Sequence, residues 1–181
     1  EVCSDDSGQF LVAVNTEYEN GIYYSTNYGL NWTAANTDAE EYVDWRTVTS
    51  DSTGQFVVAA ASDYGGIFLS SDFGRTWNET AAPSNYWSSV TSDKSGVYLA
   101  ASINGGQIYT SNNSGVNWYK TKSPSNSWYG VASDSSGQYL VAVTSYPNGG
   151  IYNSMDYGVS WYASSTSNYY FYCVASDSSG H

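Results

Sequence analysis

The sequence predicts an all-β fold of about four four-stranded units, and three observations predict it. First, the segment S-D-x-[ST]-G recurs at residues 50–54, 92–96, 133–137 and 176–180, with a variant at 4–8. Its glycines, Gly8, Gly54, Gly96, Gly137 and Gly180, stand 46, 42, 41 and 43 residues apart. Second, S-x-[DN]-x-G-x-x-W runs in step with it at residues 25–32, 70–77, 111–118 and 154–161. Third, short apolar runs are punctuated by Gly, Asn, Asp and Ser, and no 3.6-residue periodicity appears. Four strands in roughly 40–45 residues are the sequence pattern of a β-propeller blade. The expected architecture is a β-propeller-type array, a closed small propeller or a segment of a larger one. Residues 1–181 form one repeat domain, with repeats at about 3–48, 49–90, 91–131 and 132–174 and a fifth phase starting at 175–181.

Each unit reads as strands A to D. Strand A is W-x-x-V-[TA]-S at 45–50, 87–92 and 128–133, with Phe171 in place of Trp in the last copy. Strand B is a nearly continuous apolar run at 10–14, 56–61, 98–101 and 139–143, as expected of a strand covered on both faces. Strand C alternates more clearly at 22–25, 67–70, 108–111 and 151–154, and strand D opens at the motif tryptophan. Strands that run up and down put the A–B and C–D turns on one face. The other face then carries the B–C loops (17–21, 63–66, 104–106, 146–150) and the D–A loops (34–44, 81–86, 121–127, 164–170).

The S-x-[DN]-x-G-x-x-W segments resemble the Asp-box, or BNR repeat, of sialidases, sortilin-type receptors and several secreted glycoside-hydrolase propellers. The resemblance covers essentially the whole chain, with Asp72 and Asp156 keeping the acid and Asn27 and Asn113 replacing it. It implies a hairpin turn between strands C and D, remote from any active site. The chemistry agrees, because Asp or Asn accepts turn N–H groups and Gly supplies a positive φ. The four segments are therefore read as structural rather than catalytic or metal-binding.

Composition narrows the function. Aromatic residues make up 17%, with 19 Tyr and 7 Trp, which argues against disorder. Five Lys+Arg against 17 Asp+Glu give a net charge of -12, so no basic patch exists for nucleic acid or for an anionic membrane surface. No apolar run is long enough to insert in a membrane as a helix. The chain opens at Glu1, so a mature or excised piece is expected. Sequons at Asn31, Asn78 and Asn112, together with only two cysteines, point to an extracellular, secreted glycoprotein.

Catalytic sets are hard to assemble. The three arginines that the resemblance implies for a sialidase are not available, since the chain has only Arg46 and Arg75. Two facing carboxylates for glycoside hydrolysis could come from Glu17, Glu19, Glu40, Glu41, Asp44 and Asp63, but solvation of loops explains them better. His181 is the only histidine and is terminal, which excludes a Ser-His-Asp set elsewhere. Asp5-Asp6 and the S-D-x-S-G turns lack the dense alternating carboxylates of calcium loops. No cofactor and no metal are expected.

The expected function is a non-enzymatic extracellular structural or assembly module, self-associating or binding another extracellular protein. The alternatives are a carbohydrate-binding module and the non-catalytic portion of a larger glycoside hydrolase. Tyr18, Tyr42, Tyr64, Tyr86, Tyr146 and Tyr169 on the loop face are the candidate contacts, because aromatic rings stack on sugars and pack against proteins. At the ends, residues 175–181 repeat the place of residues 3–9, so two segments claim one strand A slot. A Cys3–Cys173 disulfide either staples the ends of one chain or locks neighbouring chains head to tail.

Overall fold

Sheet register is set by the repeated serine that opens each S-x-[DN]-x-G-x-x-W segment. The computed structural model describes residues 1–16, 21–37, 43–145, 150–167 and 169–180. Among them every regular element is a strand, and the chain parts into two compact units, Glu1–Trp87 and Ser88–His181. In the first unit, β1 (Val2–Ser4), β2 (Leu11–Val14), β3 (Ile22–Ser25) and β4 (Thr33–Ala34) pair in chain order. Five further strands follow: β5 (Asn36–Thr37), β6 (Trp45–Ser50), β7 (Val57–Ala61), β8 (Ile67–Ser70) and β9 (Thr76–Glu79). They form a sheet in the order β5-β9-β8-β7-β6.

β10 (Trp87–Ser92) leads into the second unit and pairs with β11 (Leu99–Gly106), which pairs with β12 (Ile108–Ser111) and through it with β13 (Tyr119–Lys120). The last sheet runs β14 (Asn126–Ser133), β15 (Leu140–Thr144), β16 (Gly150–Ser154) and β17 (Tyr162–Ser167). The far end of β11 also pairs with the start of β14, through Asn104↔Ser127 and Gly106↔Asn126. Strand C is registered identically on strand B in all four copies, as Leu11↔Ser25, Val57↔Ser70, Leu99↔Ser111 and Leu140↔Ser154. The all-β, four-times-four-stranded expectation is met.

Four details differ from expectation. Strand B starts one residue late in every copy. The N–H groups of Phe10, Phe56, Tyr98 and Tyr139 are donated to Oδ1 of Asp5, Asp51, Asp93 and Asp134 at 2.9, 3.1, 2.9 and 3.0 Å, so they belong to the turn. Strand D begins after the tryptophan in three copies and before it in the second. β5 lies where a loop was expected, running parallel to β9 with Asn36 N–H donated to the Arg75 carbonyl at 2.9 Å. Finally, residues 171–176 carry the strand A pattern but form no strand. Strand A is stabilised by the ladder to its strand B, and among the described residues no strand pairs with them.

A strand A tryptophan lies in a core cluster of each unit. Trp45 meets Phe68 edge-on at 4.9 Å and Trp77 at 6.5 Å, within a cluster that includes Val12, Ile22, Val57 and Ala59. Trp128 repeats this against Tyr152 at 5.0 Å and Trp161 at 6.2 Å, beside Ala100, Ile108 and Leu140. β7 is buried along its whole length, which is why its sequence, Val-Val-Ala-Ala-Ala, does not alternate.

Candidate functional site

The two repeated motifs meet on one face of each sheet and consume their own polar groups. In the second copy the Ser70 hydroxyl donates to Asp72 Oδ1 at 2.9 Å and accepts the Gly74 N–H at 2.9 Å. Asp72 Oδ1 also accepts the N–H groups of Arg75 and Thr76 at 3.1 and 2.9 Å. Ser25 and Asn27, Ser111 and Asn113, and Ser154 and Asp156 repeat the pattern. Trp77 and Trp161 close their own turns by donating Nε1–H to the carbonyls of Gly74 and Gly158, at 3.0 and 2.9 Å.

The residue before each motif glycine is also left-handed: Tyr28, Phe73, Ser114 and Tyr157 have φ of 61, 63, 54 and 59°. Sequence reasoning missed this, because bulky aromatics rarely adopt positive φ. Their N–H groups are donated across the face to the carbonyls of Gln9, Gln55, Val97 and Gln138, at 3.1, 3.2, 3.0 and 3.1 Å. The C–D turn is thereby tied to the A–B turn of its own sheet. The shared fixed offset from glycine was the only sequence signal.

The turn carboxylates titrate accordingly. Burial pushes the carboxyls of Asp5 and Asp134 up, but hydrogen bonds from the Ser7 and Ser136 hydroxyls and from the Phe10 and Tyr139 N–H groups outweigh it. Burial acts the same way on Asp72 and Asp156, where bonds from Thr76 and Ser70, and from Ser160 and Ser154, prevail. All four sit below the ordinary carboxylate value. Among the described residues, no group of three or more His, Cys, Asp or Glu is placed to hold a metal ion.

On the loop face the structure brings two of the six candidate tyrosines together. Tyr64 and Tyr86 meet edge-on with ring centroids 5.6 Å apart, and they are 63% and 51% exposed. The pair is fixed beneath by Asn85 N–H donated to the Gly65 carbonyl at 3.0 Å. Tyr64 has φ 51° and lies outside the S-x-[DN]-x-G-x-x-W turns, where the other described non-glycine residues with positive φ are found. Tyr169 is apart from this pair in sequence, in the second unit, exposed and 6.4 Å from Phe171. Tyr18, Tyr42 and Tyr146, with Glu17, Glu19, Glu40, Glu41 and His181, lie outside the described residues. Asp63 is exposed, and the half-buried Asp44 carboxylate accepts the Ser62 hydroxyl.

No family model matches the chain, and no curated protein matches it. Solved structures do. An ancestral GH74 enzyme matches 99% of this chain and 27% of its own at 19% identity, with a TM-score of 0.75. The GH74 xyloglucanase from Xanthomonas campestris matches 90% of this chain and 29% of its own at 18% identity, TM-score 0.66. YCF48 bound to a D1 peptide matches 90% of this chain and 53% of its own at 15% identity, TM-score 0.68.

The fold is that of a β-propeller. The strand sets β1–β4, β6–β9, β10–β13 and β14–β17 are its blades, and the chain spans less than a third of the two GH74 propeller chains it matches.

On this propeller Asn31, Asn78 and Asn112 are all exposed, in or beside the motif turns. Arg75 lies in the turn of the second blade, its Nη1 donating to the Asp72 carbonyl at 3.4 Å and its Cζ 5.8 Å from the Tyr24 and Phe73 ring centroids. Both cysteines are free thiols. Cys3 is half-buried in β1 against the first unit's core, and burial pushes its thiol up to about 12, while Cys173 is exposed. A protonated, enclosed thiol is a poor disulfide partner.

Proposed function

We propose that the chain is a non-catalytic propeller module of the Asp-box kind, extracellular, acting in structure or assembly. One observation carries this proposal: the side chains of Asn27, Asp72, Asn113 and Asp156 are spent on their own turns. A general acid or base must reach a proton on a substrate, and groups engaged by their own backbone are badly placed for that. The exposed asparagines support an extracellular home, with N-glycans on the motif side and the aromatic loops left open. The chain should show no turnover on sialosides or β-glucans. Turnover that Asp63→Asn or Asp44→Asn abolishes would sink the proposal. Peptide mapping after N-glycosidase treatment of native material tests the glycans, and three unmodified asparagines would remove that part.

A second reading, carbohydrate binding, is favoured by the Tyr64–Tyr86 pair. A strained, bulky residue outside the repeated turns is the kind of outlier that marks a binding position, and exposed rings stack on sugars. The likeness to a xyloglucanase gives the first oligosaccharides to try, and it also suits the portion-of-a-hydrolase alternative. Titration calorimetry should show binding that Tyr64→Ala removes. Binding unchanged in Tyr64→Ala and Tyr86→Ala would exclude this pair as the site.

A further inference from the structure

The loops that carry Tyr64 and Tyr86 are built tightly beneath their rings. Two glycines follow Tyr64, and neither has room for a side chain. A Cβ on Gly65 would lie 2.5 Å from Ala61 Cβ, and one on Gly66 would lie 2.3 Å from Glu79 Oε1. That packing fixes the turn in which Tyr64 stands at φ 51°. From the other loop, Asn85 donates its N–H to the Gly65 carbonyl at 3.0 Å, while its side-chain Oδ1 accepts the Tyr86 N–H at 3.0 Å. Asn85 thus joins the two loops and also holds the backbone of Tyr86. Both tyrosines belong to the first unit.

The result is two phenol rings with centroids 5.6 Å apart and planes at 65°. They are 63% and 51% exposed, so an oxidant in solution can reach both. Exposed side chains turn on the picosecond to nanosecond timescale, which presents the carbons beside each phenol oxygen to the other ring. Two other tyrosine contacts are less open. Tyr98 meets Tyr157 at 4.7 Å and Tyr129 meets Tyr172 at 5.5 Å, but Tyr98 and Tyr129 are half-buried.

We infer that Tyr64 and Tyr86 form an oxidative cross-linking site, which closes to an intrachain dityrosine in the presence of hydrogen peroxide and a haem peroxidase. Each phenol gives up one electron and one proton and becomes a phenoxyl radical. The two radicals join through one ring carbon beside each oxygen. The hydrogen on each of those carbons then moves as a proton to the oxygen, which restores both phenols. One hydrogen peroxide takes up the two electrons and two protons, its O–O bond breaks, and it leaves as two waters.

The new carbon–carbon bond fastens two loops that the Gly65–Asn85 bridge holds by main-chain hydrogen bonding. It closes a loop from residue 64 to residue 86 and restricts the unfolded chain, as a disulfide would. The oxidant comes from the extracellular setting proposed above, whereas the coupling itself rests on neither the assembly reading nor the carbohydrate reading.

The spacing of basic residues makes the test unambiguous. Trypsin cuts after Arg46, Arg75 and Lys94, so Tyr64 is the single tyrosine of peptide 47–75 and Tyr86 the single tyrosine of peptide 76–94. The full chain, kept dilute, is treated with a haem peroxidase and limiting hydrogen peroxide, separated by size and mapped after removal of any glycan at Asn78. The expected result is a linked pair of these peptides in the monomer fraction, with their summed mass less two hydrogens and the fluorescence of dityrosine. The treated monomer should also unfold at higher urea than the untreated one. Tyr64→Phe and Tyr86→Phe should each lose the linked pair, and Phe suits position 64 because Phe73 stands at φ 63° in its own turn. Recovery of both peptides unlinked, whether or not dityrosine forms elsewhere in the chain, overturns the inference. So does a link found in dimers alone, or one that persists in either Phe variant. The test supplies the oxidant, so these results leave the extracellular reading untouched, and calorimetry decides carbohydrate binding separately.

Discussion

Ser70 and Asp72 hold each other in place: the buried Ser70 hydroxyl donates to Asp72 Oδ1 at 2.9 Å while accepting N–H groups from Asp72 and Gly74 at 3.4 and 2.9 Å. Removing the hydroxyl leaves buried donors without a partner, at about 1–3 kcal/mol for each such group. Ser70→Ala should therefore destabilise the first unit by about 2–3 kcal/mol, measured by urea unfolding. Asp72→Asn should cost less, since Asn27 and Asn113 hold the same bonds in their copies. Equal losses in the two variants would refute this division of roles.

Acid should weaken the turns. Asp5, Asp72, Asp134 and Asp156 have folded-state carboxyls held below their unfolded values. Their contribution is complete above the ordinary aspartate pKa of about 3.9 and is lost as pH falls through the lower folded values. Thermal midpoints should hold steady from neutral pH down to the ordinary aspartate range and then drop. Asp72→Asn should drop less. A midpoint that rises on acidification would contradict the sign.

Trp128 is fully buried, and its Nε1–H is donated to the carbonyls of Gly106 at 3.1 Å and Pro124 at 3.3 Å. Trp128→Ala should cost about 3–5 kcal/mol, the range for large aromatic truncations. Trp128→Phe keeps most of the packing and loses only the two bonds, at about 1–3 kcal/mol. Equilibrium denaturation of the two variants separates packing from hydrogen bonding, and indistinguishable losses would place the whole effect in the bonds.

Glycines in one motif should not be equivalent. Gly137→Ala suffers both a positive φ of 77° and a Cβ 2.5 Å from Tyr98 Cβ, while Gly8→Ala suffers only its φ of 73°. The φ penalty is about 1–2 kcal/mol, so Gly8→Ala should cost about that much and Gly137→Ala clearly more. Equilibrium denaturation measures both, and equal costs would mean that the contact with Tyr98 contributes nothing.

Thiol reactivity should split the same way as burial. Cys173 is exposed, whereas Cys3 is half-buried with its thiol pushed up to about 12. Iodoacetamide at neutral pH should label Cys173 well before Cys3, as read by peptide mass spectrometry. Faster labelling of Cys3 would show that β1 opens readily from β2.

The alternation of turn motifs and apolar runs made the strand order legible, because serine, aspartate and glycine at fixed offsets impose one local hydrogen-bond pattern wherever they recur. The pairing of Asn36 and Thr37 with β9 was not legible, since two polar residues carry no apolar pattern and their partner lies forty residues on in the chain. The failure of residues 171–176 to form a strand was equally hidden. Their sequence matches strand A, but a strand depends on the neighbour it pairs with. Of the described loop-face tyrosines, Tyr64 and Tyr86 meet as a pair, and the pair depends on the Gly65–Asn85 contact that crosses from one loop to the next.

The sequence by itself determined the repeat, the strand order within each blade and the chemistry of the turns, all of which lie within a single repeat. Tertiary structure decided what those turns touch. Gly54 and Gly8 have the same local motif and the same φ, yet one rests on Asp5 and Phe10 while the other, among the described residues, has nothing within 4 Å. Local hydrogen bonding fixes the shape of a turn, whereas its surroundings are set by which blade packs beside it, and packing between blades is a long-range property that no single repeat encodes.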